Sequence, residues 1–115
     1  MIRRGDVYRV DLGPTRGHEI NTKKNRPVVV VSIDDINRSL VVTVVPGTGT
    51  RPKRPYRNVV SIPASPENGL EKETFFQAHQ IRAIDQTRFG KPVGSLRPQD
   101  LQRIEAAVRF SLGLL

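Results

Sequence analysis

Two runs of β-branched residues constrain this chain most: "PVVVVSI" at residues 27–33 and "LVVTVVP" at residues 40–46. Neither alternates with polar residues, so each needs cover on both faces, which is the pattern of an interior strand. The intervening "DDINRS" is a turn or a single helical turn. Pro46 has no N–H to give, so it ends the second ladder or marks a bulge. If the two strands are antiparallel neighbours, residue 26 at the start of one lies beside residues 46–48 at the end of the other.

The rest of the chain supplies shorter elements. "GDVYRVDL" at residues 5–12 alternates apolar Val7, Val10 and Leu12 with polar Asp6, Arg9 and Asp11, which predicts a strand with one wet face. "GPTRG", "GTGTRPKRPY" and "PASPENG" are loops by their Gly and Pro content. "NVVSI" is a short strand, "ETFFQAHQIRAID" a strand, bent or not, running through Ile84, and "PVGSL" a last extended piece. "DQTRFG" is a turn. Pro98 suits the first position of a helix and Gly113 its end. Between them Leu101, Ile104, Val108 and Leu112 recur at helical spacing and define one apolar face. The expected fold is mainly β (α+β): a small, strongly twisted, mostly antiparallel sheet or open SH3-like barrel with a C-terminal helix, in one domain over residues 1–115.

Charge narrows the function. With 19 Lys and Arg against 11 Asp and Glu, the net charge is +8. Such a field attracts polyanions, which points to nucleic acid or an acidic protein partner. The absence of cysteine excludes disulfides, zinc–thiolate sites and thiol catalysis, and two His residues make a His-rich metal site unexpected. No cofactor is expected. The N-terminus "MIRRGDVYRV" lacks the apolar core of an export signal, and no apolar run is long enough to span a bilayer, so a cytoplasmic location is expected. Metalloprotease, P-loop, dinucleotide-binding and serine-hydrolase motifs are missing.

Two basic loops flank the central strands. "TRGHEINTKKNR" carries Arg16, Lys23, Lys24 and Arg26 with one acid, Glu19. "GTRPKRPYR" carries Arg51, Lys53, Arg54 and Arg57 around Tyr56, with no acid. Two basic rims and an aromatic ring suit a single-stranded nucleic acid, whose phosphates the cations follow and whose bases stack. Arg26 precedes a proline, which disfavours helical backbone there, and then enters a rigid strand. A guanidinium held in this way can bind a phosphate through two parallel hydrogen bonds or stabilise a phosphorane-like transition state. Thr48 could add a hydroxyl bond to the same phosphate, with Gly47 and Gly49 allowing close backbone approach. Glu19 is either an ion-pair partner, a base-reading acceptor or a proton acceptor. His79 reads as a structural histidine on a sheet face, with acid–base work as the alternative.

In order and spacing, "RGDVYRVDLGPTRGHE", "RPVVVVS", "VVPGT", "GLEKETFFQAHQIRAID", "GSL" and the helical apolar pattern ending "LGL" resemble the MazF/PemK family of toxin endoribonucleases. The resemblance spans nearly the full chain. It implies a compact twisted sheet or barrel of the CcdB/PemK type assembled as a symmetric homodimer. It also implies metal-independent cleavage of single-stranded RNA at short sequences, through attack of a ribose 2′-hydroxyl on the adjacent phosphate. The family's catalytic arginine and threonine fall on Arg26 and Thr48, with Thr50 the alternative in "GTGT". The RNA-binding set expected from the loops and from "FFQAHQ" comprises Gly17, His18, Glu19, Asn21, Lys23, Lys24, Thr50, Arg51, Lys53, Arg54, Tyr56, His79 and Gln80. The implied partner is an acidic antitoxin whose disordered tail covers the groove. The segment between Glu19 and Arg26 is longer than is usual, and His79 stands where several relatives carry an acid. A CcdB-like toxin that binds DNA gyrase without catalysis, and a non-catalytic nucleic-acid-binding module, are the alternative readings.

Overall fold

The two valine-rich runs pair at the centre of one sheet, as their composition requires. The computed structural model describes residues 1–20 and 25–114. In chain order the elements are β1 (Asp6–Val10), β2 (Arg26–Val30), α1 (Asp34–Asn37), β3 (Val41–Thr48), β4 (Val59–Ile62), β5 (Thr74–Gln77), β6 (Arg82–Asp85), β7 (Gly94–Ser95) and α2 (Pro98–Leu112). Short 3₁₀ turns occupy Ala78–Gln80 and Gln86–Arg88. The strand order is β4-β5-β3-β2-β1-β7, with β6 also on β3, and every pairing is antiparallel.

β3 shapes the sheet. Its first half, Val41 to Val44, pairs with β6, while Gly47 and Thr48 pair with β5. Pro46 and Gly47 sit where one pairing gives way to the other. Gly47 permits the bend: a Cβ there would lie 2.5 Å from Thr74 Cγ2 and 3.0 Å from the Phe76 ring. The sheet therefore curls into a half-barrel, mostly antiparallel, with one long helix at its C-terminus.

Alternation along the strands creates two cores. Val7, Val29, Val45, Val60, Ile62 and Phe76 face α2, where Ile104 and Ala107 are buried against them. On the concave face Tyr8, Val10, Leu12, Val28, Val30, Val42, Val44 and Ile84 form a second cluster, capped by Ile2, Ile20 and Phe89. The Tyr8 and Phe89 rings meet edge-on at 4.9 Å. β2 is thus covered on both faces, as expected. β1 departs from the expected single wet face: Val7 is buried on one side and Tyr8, Val10 and Leu12 on the other, leaving water mainly to Asp11 and partly to Arg9.

Two further expectations are corrected. The strand predicted over 27–33 ends at Val30, and Ile33 is exposed. Ser32 and Asn37 take over the ladder there. Ser32 Oγ accepts from the Thr43 N–H at 3.0 Å, its hydroxyl donates to Asn37 Oδ1, and Asn37 Nδ2 donates to the Ser32 carbonyl at 2.9 Å. The strand read through "FFQAHQIRAI" is two strands, β5 and β6, broken by the 3₁₀ turn at Ala78–Gln80. A single straight strand cannot follow both halves of the bent β3.

α2 begins at Pro98 and ends at Gly113, whose positive φ of 69° closes the helix with bonds from the Gly113 N–H to Phe110 and from the Leu114 N–H to Arg109. The buried Asp100 carboxylate accepts from Arg97 Nε at 3.2 Å and Arg103 Nη1 at 3.5 Å. The core-facing stripe is Leu101, Ile104, Ala107 and Val108. Leu112, expected on it, is exposed. Ile104→Ala should therefore cost about 2–5 kcal/mol of stability, whereas Leu112→Ala should change it by less than about 0.5 kcal/mol. Urea unfolding midpoints of the two variants check this; a larger loss at Leu112 would reverse the assignment of the helix face.

Candidate active site

The β2–β3 register builds the site. Val28 pairs with Pro46, Val29 with Val45 and Val30 with Val44, and two residues beyond Val28 and Pro46 stand Arg26 and Thr48. Arg26 shares its face with Val28 and Val30, so it emerges at the end of the concave core and not on the helix side. On its other flank Arg26 pairs with Val10 of β1. Arg26 and Thr48 line one cavity of about 420 Å³, together with His18, Glu19, Thr50, Arg51, Lys53, Gln77 and Gln80.

The two threonines of "GTGT" differ. Thr48 Oγ1 accepts the Thr50 N–H at 3.2 Å. One lone pair is thereby fixed and the hydroxyl proton is left to donate. The side chain is an anchored donor at the end of a strand, whereas Thr50 is exposed in the loop beyond. Arg51 is also held. Its guanidinium lies 5.0 Å from the Phe75 ring centroid, and its Nη2 is 3.3 Å from Glu73 Oε1. Glu73 Oε2 in turn accepts from Ser61 Oγ at 2.5 Å. Strands β4 and β5 therefore aim a second cation at the cavity.

The β1–β2 loop reaches the site through its own turn and through Gln80. Gly17 takes a left-handed φ of 56°. Glu19 Oε1 accepts the Arg16 N–H at 2.5 Å, while the Glu19 N–H donates to the Arg16 carbonyl at 3.1 Å. Gln80 clamps the segment: its Oε1 accepts the Ile20 N–H at 2.6 Å, and its Nε2 donates to the His18 carbonyl at 3.3 Å and to Gln77 Oε1 at 3.2 Å. Gln80, expected to meet substrate, lines the Arg26 cavity, and its amide is engaged by the loop. The clamp separates the Arg26 cavity from a neighbour of about 550 Å³, with apolar Leu12, Pro46 and Ile81 and polar His79 and Arg82 in its lining.

Three expected binding residues sit elsewhere than the sequence suggests. Tyr56 packs edge-on to Phe110 of α2 at 5.4 Å, beside Arg57, whose guanidinium lies 4.2 Å from the same ring. That end of the basic loop is drawn to the helix and does not line the Arg26 cavity. Arg54 is exposed outside that lining as well. His79 is not on a sheet face: it lies in the 3₁₀ turn, exposed, with Nδ1 2.6 Å from Asn58 Nδ2. Asn21, Lys23 and Lys24 lie outside the described residues. Sequence reasoning missed Arg9, Asn25, Lys72 and Gln77 around the site; Arg9 is next to Arg26 only once the β1–β2 register is known.

The excess charge is distributed unevenly. Away from the cavity, Arg4 pairs with Glu105, Arg38 with Asp35, and Arg97 and Arg103 with Asp100. Arg82 donates to the Leu12 carbonyl at 3.1 Å, and Arg88 to the Asp11 and Gly13 carbonyls at 2.7 and 2.8 Å. Around the cavity Arg26, Arg51 and Lys53 stand with Glu19, and Arg51 is also paired with Glu73. Such a lining suits a phosphodiester, with hydrogen-bond donors from both strands at one end of the β2–β3 pair. Among the described residues no three His, Asp or Glu side chains are grouped to hold a metal ion, and no helix is long and apolar enough to cross a membrane.

Comparison with known proteins places this arrangement. Residues 3–112 match the PemK-like, MazF-like toxins of type II toxin–antitoxin systems. The chain is 36% identical over 121 residues to endoribonuclease MazF9 of Mycobacterium tuberculosis, covering 99% of this chain and 98% of that protein. It superposes on a mycobacterial endoribonuclease solved in complex with its cognate antitoxin, with a TM-score of 0.80, 27% identity, and coverage of 100% of this chain and 98% of that one. MazF from Deinococcus radiodurans gives a TM-score of 0.80 at 21% identity over 98% of this chain and 97% of its own, a likeness of fold. A half-barrel with one C-terminal helix and a match over residues 3–112 agree: the chain belongs to the PemK-like, MazF-like family of type II toxins.

Proposed function

We propose that this toxin endoribonuclease cuts single-stranded RNA in the Arg26–Thr48 cavity, without a metal, and so blocks translation. The ribose 2′-oxygen attacks the neighbouring phosphorus and the bond to the 5′-oxygen breaks. The products carry a 2′,3′-cyclic phosphate and a 5′-hydroxyl. The observation that supports this reading most is the convergence of Arg26 and Thr48 from the ends of two paired strands on one cavity. Arg26 offers two N–H donors to the phosphoryl oxygens as charge builds on them and so acts as transition-state stabiliser, while water gives the leaving 5′-oxygen its proton. Thr48 adds its hydroxyl proton, its oxygen being held by the Thr50 N–H. A guanidinium does not readily give up its proton. The 2′-hydroxyl proton therefore passes to Glu19 or to water, and Glu19 lines the same cavity.

Arg51 and Lys53 bind flanking phosphates in this scheme, and the sequence preference arises in the cavities on either side of the Gln80 clamp. The partner is an acidic antitoxin with a disordered tail that competes for the same cations; the mycobacterial neighbour was solved with its cognate antitoxin. A homodimer is proposed as well, supported by the exposed Leu114 and by exposed Ile33, Ile36 and Leu40. A cytoplasmic location follows from a substrate of messenger RNA. Gyrase binding without cleavage, as in CcdB-like toxins, has no use for an arginine and a threonine brought together at one cavity.

Incubation with long single-stranded RNA in EDTA, with both ends of each product mapped, tests the chemistry. Cyclic phosphate and 5′-hydroxyl ends are expected, and Arg26→Ala should lower kcat by about 10²–10³ with its fold intact. Intact RNA, or full activity in Arg26→Ala, would sink the proposal. Gln80→Ala removes the clamp and leaves the partly buried Ile20 N–H without its acceptor, a local cost of about 1–3 kcal/mol. Hydrogen exchange at the Ile20 amide should accelerate while global stability barely changes; unaltered exchange would show that the loop is held by something else.

A further inference from the structure

Beyond the wall formed by Arg26 and Thr50 lies a separate cavity of about 250 Å³. Arg26 and Thr50 border both this cavity and the one containing Thr48. Its other principal walls are Arg9, Glu71, Lys72 and Gly49. Arg9 and Pro27 face each other across the β1–β2 ladder, so Arg9 lies on the opposite face from Arg26. The cavity therefore carries the groove over the rim of the sheet at the ends of β2 and β3.

Lys72 is set into this cavity by the loop. Its stem lies across Gly49 so closely that a Cβ on that glycine would fall 2.1 Å from Lys72 Cε and 2.7 Å from Nζ. The ammonium is thus laid beside the Thr48–Thr50 loop, and among the described residues it has no acidic partner within ion-pair distance. Arg9 is paired with Glu71 at 3.6 Å, but the Glu71 side chain is 78% exposed. An exposed pair of that length is weak, and a phosphate can replace the carboxylate on Arg9.

We propose that Lys72 and Arg9 form a second phosphate-binding subsite, which takes the phosphodiester next to the one cut at Arg26 as the RNA strand crosses the rim. The subsite rests on the reading of Arg26 and Thr48 as the cleavage site. It holds a phosphate and reads no base, so it raises affinity for RNA long enough to reach it and leaves the chemical step alone. Glu71 opposes RNA there by holding Arg9 when the cavity is empty.

The test uses a single-stranded RNA that the wild-type protein cuts, made uncleavable by a 2′-deoxy sugar at the cut site for binding, and a second version whose neighbouring phosphate is replaced by a neutral methylphosphonate. In the Arg9→Gln/Lys72→Gln protein the log–log salt dependence of binding should become shallower by about 0.7 for each phosphate that the protein no longer neutralises. KM on the cleavable RNA should rise about tenfold with kcat unchanged. Methylphosphonate at that phosphate should weaken wild-type binding several-fold and leave the double variant unaffected, while Glu71→Gln should tighten wild-type binding. Equal penalties from the methylphosphonate in both proteins, or an unchanged salt slope, would overturn the subsite while leaving the cleavage site standing. Full cleavage by Arg26→Ala would overturn the cleavage site itself.

Discussion

The ladder between β2 and β3 governs both the fold and the placement of the site. Val28, Val29 and Val30 face Pro46, Val45 and Val44, and all six are buried. Buried backbone groups need partners. A slip of one residue would exchange the two faces of β2. It would send Val28 and Val30 toward the helix, Val29 into the concave core, and Arg26 with its charge onto the apolar side of α2. The core therefore rejects any register that exchanges the two faces. The position of Arg26 relative to Thr48 is thus a consequence of valine packing, and it is set before any substrate arrives.

Electrostatics follow from how that frame distributes its arginines. Several are engaged with carboxylates or carbonyls: Arg4 ties α2 to the segment before β1, and Arg82 and Arg88 tie β6 and the turn after it to the end of β1. The cations at the strand ends, Arg9, Arg26, Arg51, Lys53 and Lys72, outnumber the acids beside them, Glu19, Glu71 and Glu73. A polyanion approaching the molecule is drawn to a place with such a local excess of positive charge. Net charge alone says that such a place exists. Only the pairing pattern says that it coincides with the ends of β2 and β3.

Much of this was legible in the sequence because it depends on local pattern. The two β-branched runs, the Pro98 start and Gly113 stop of α2, and the closeness of residue 26 to residues 46–48 need no tertiary information beyond antiparallel pairing. What escaped depended on partners distant in sequence. The break at Ala78–Gln80 is invisible in "FFQAHQIRAI", since its cause is the bend of β3. Tyr56 reads as a groove aromatic until Phe110 is known to lie beneath it. Gln80 reads as a substrate contact, and the sequence does not show that its amide also holds the His18–Ile20 backbone. Nothing in "GLEKE" marks Lys72 as a phosphate contact, and the subsite proposed for it depends on Gly49, which the fold brings against its stem.

The two glycines flanking Thr48 connect these levels. The sequence suggests that they admit a substrate close to the backbone; in the fold they admit the protein's own side chains. At Gly47 the space is filled by Thr74 and Phe76, and at Gly49 by the stem of Lys72. Thr48 is therefore fixed from both sides by residues at or beside the start of β5, and its hydroxyl is further tied to the Thr50 N–H. A methyl group at Gly47 would have to displace core side chains that have nowhere to go, shifting Thr48 along the strand end relative to Arg26. The same methyl at Gly49 would meet only the flexible end of a lysine. The first glycine thus protects the geometry of the paired donors, and the second governs which cation stands beyond them.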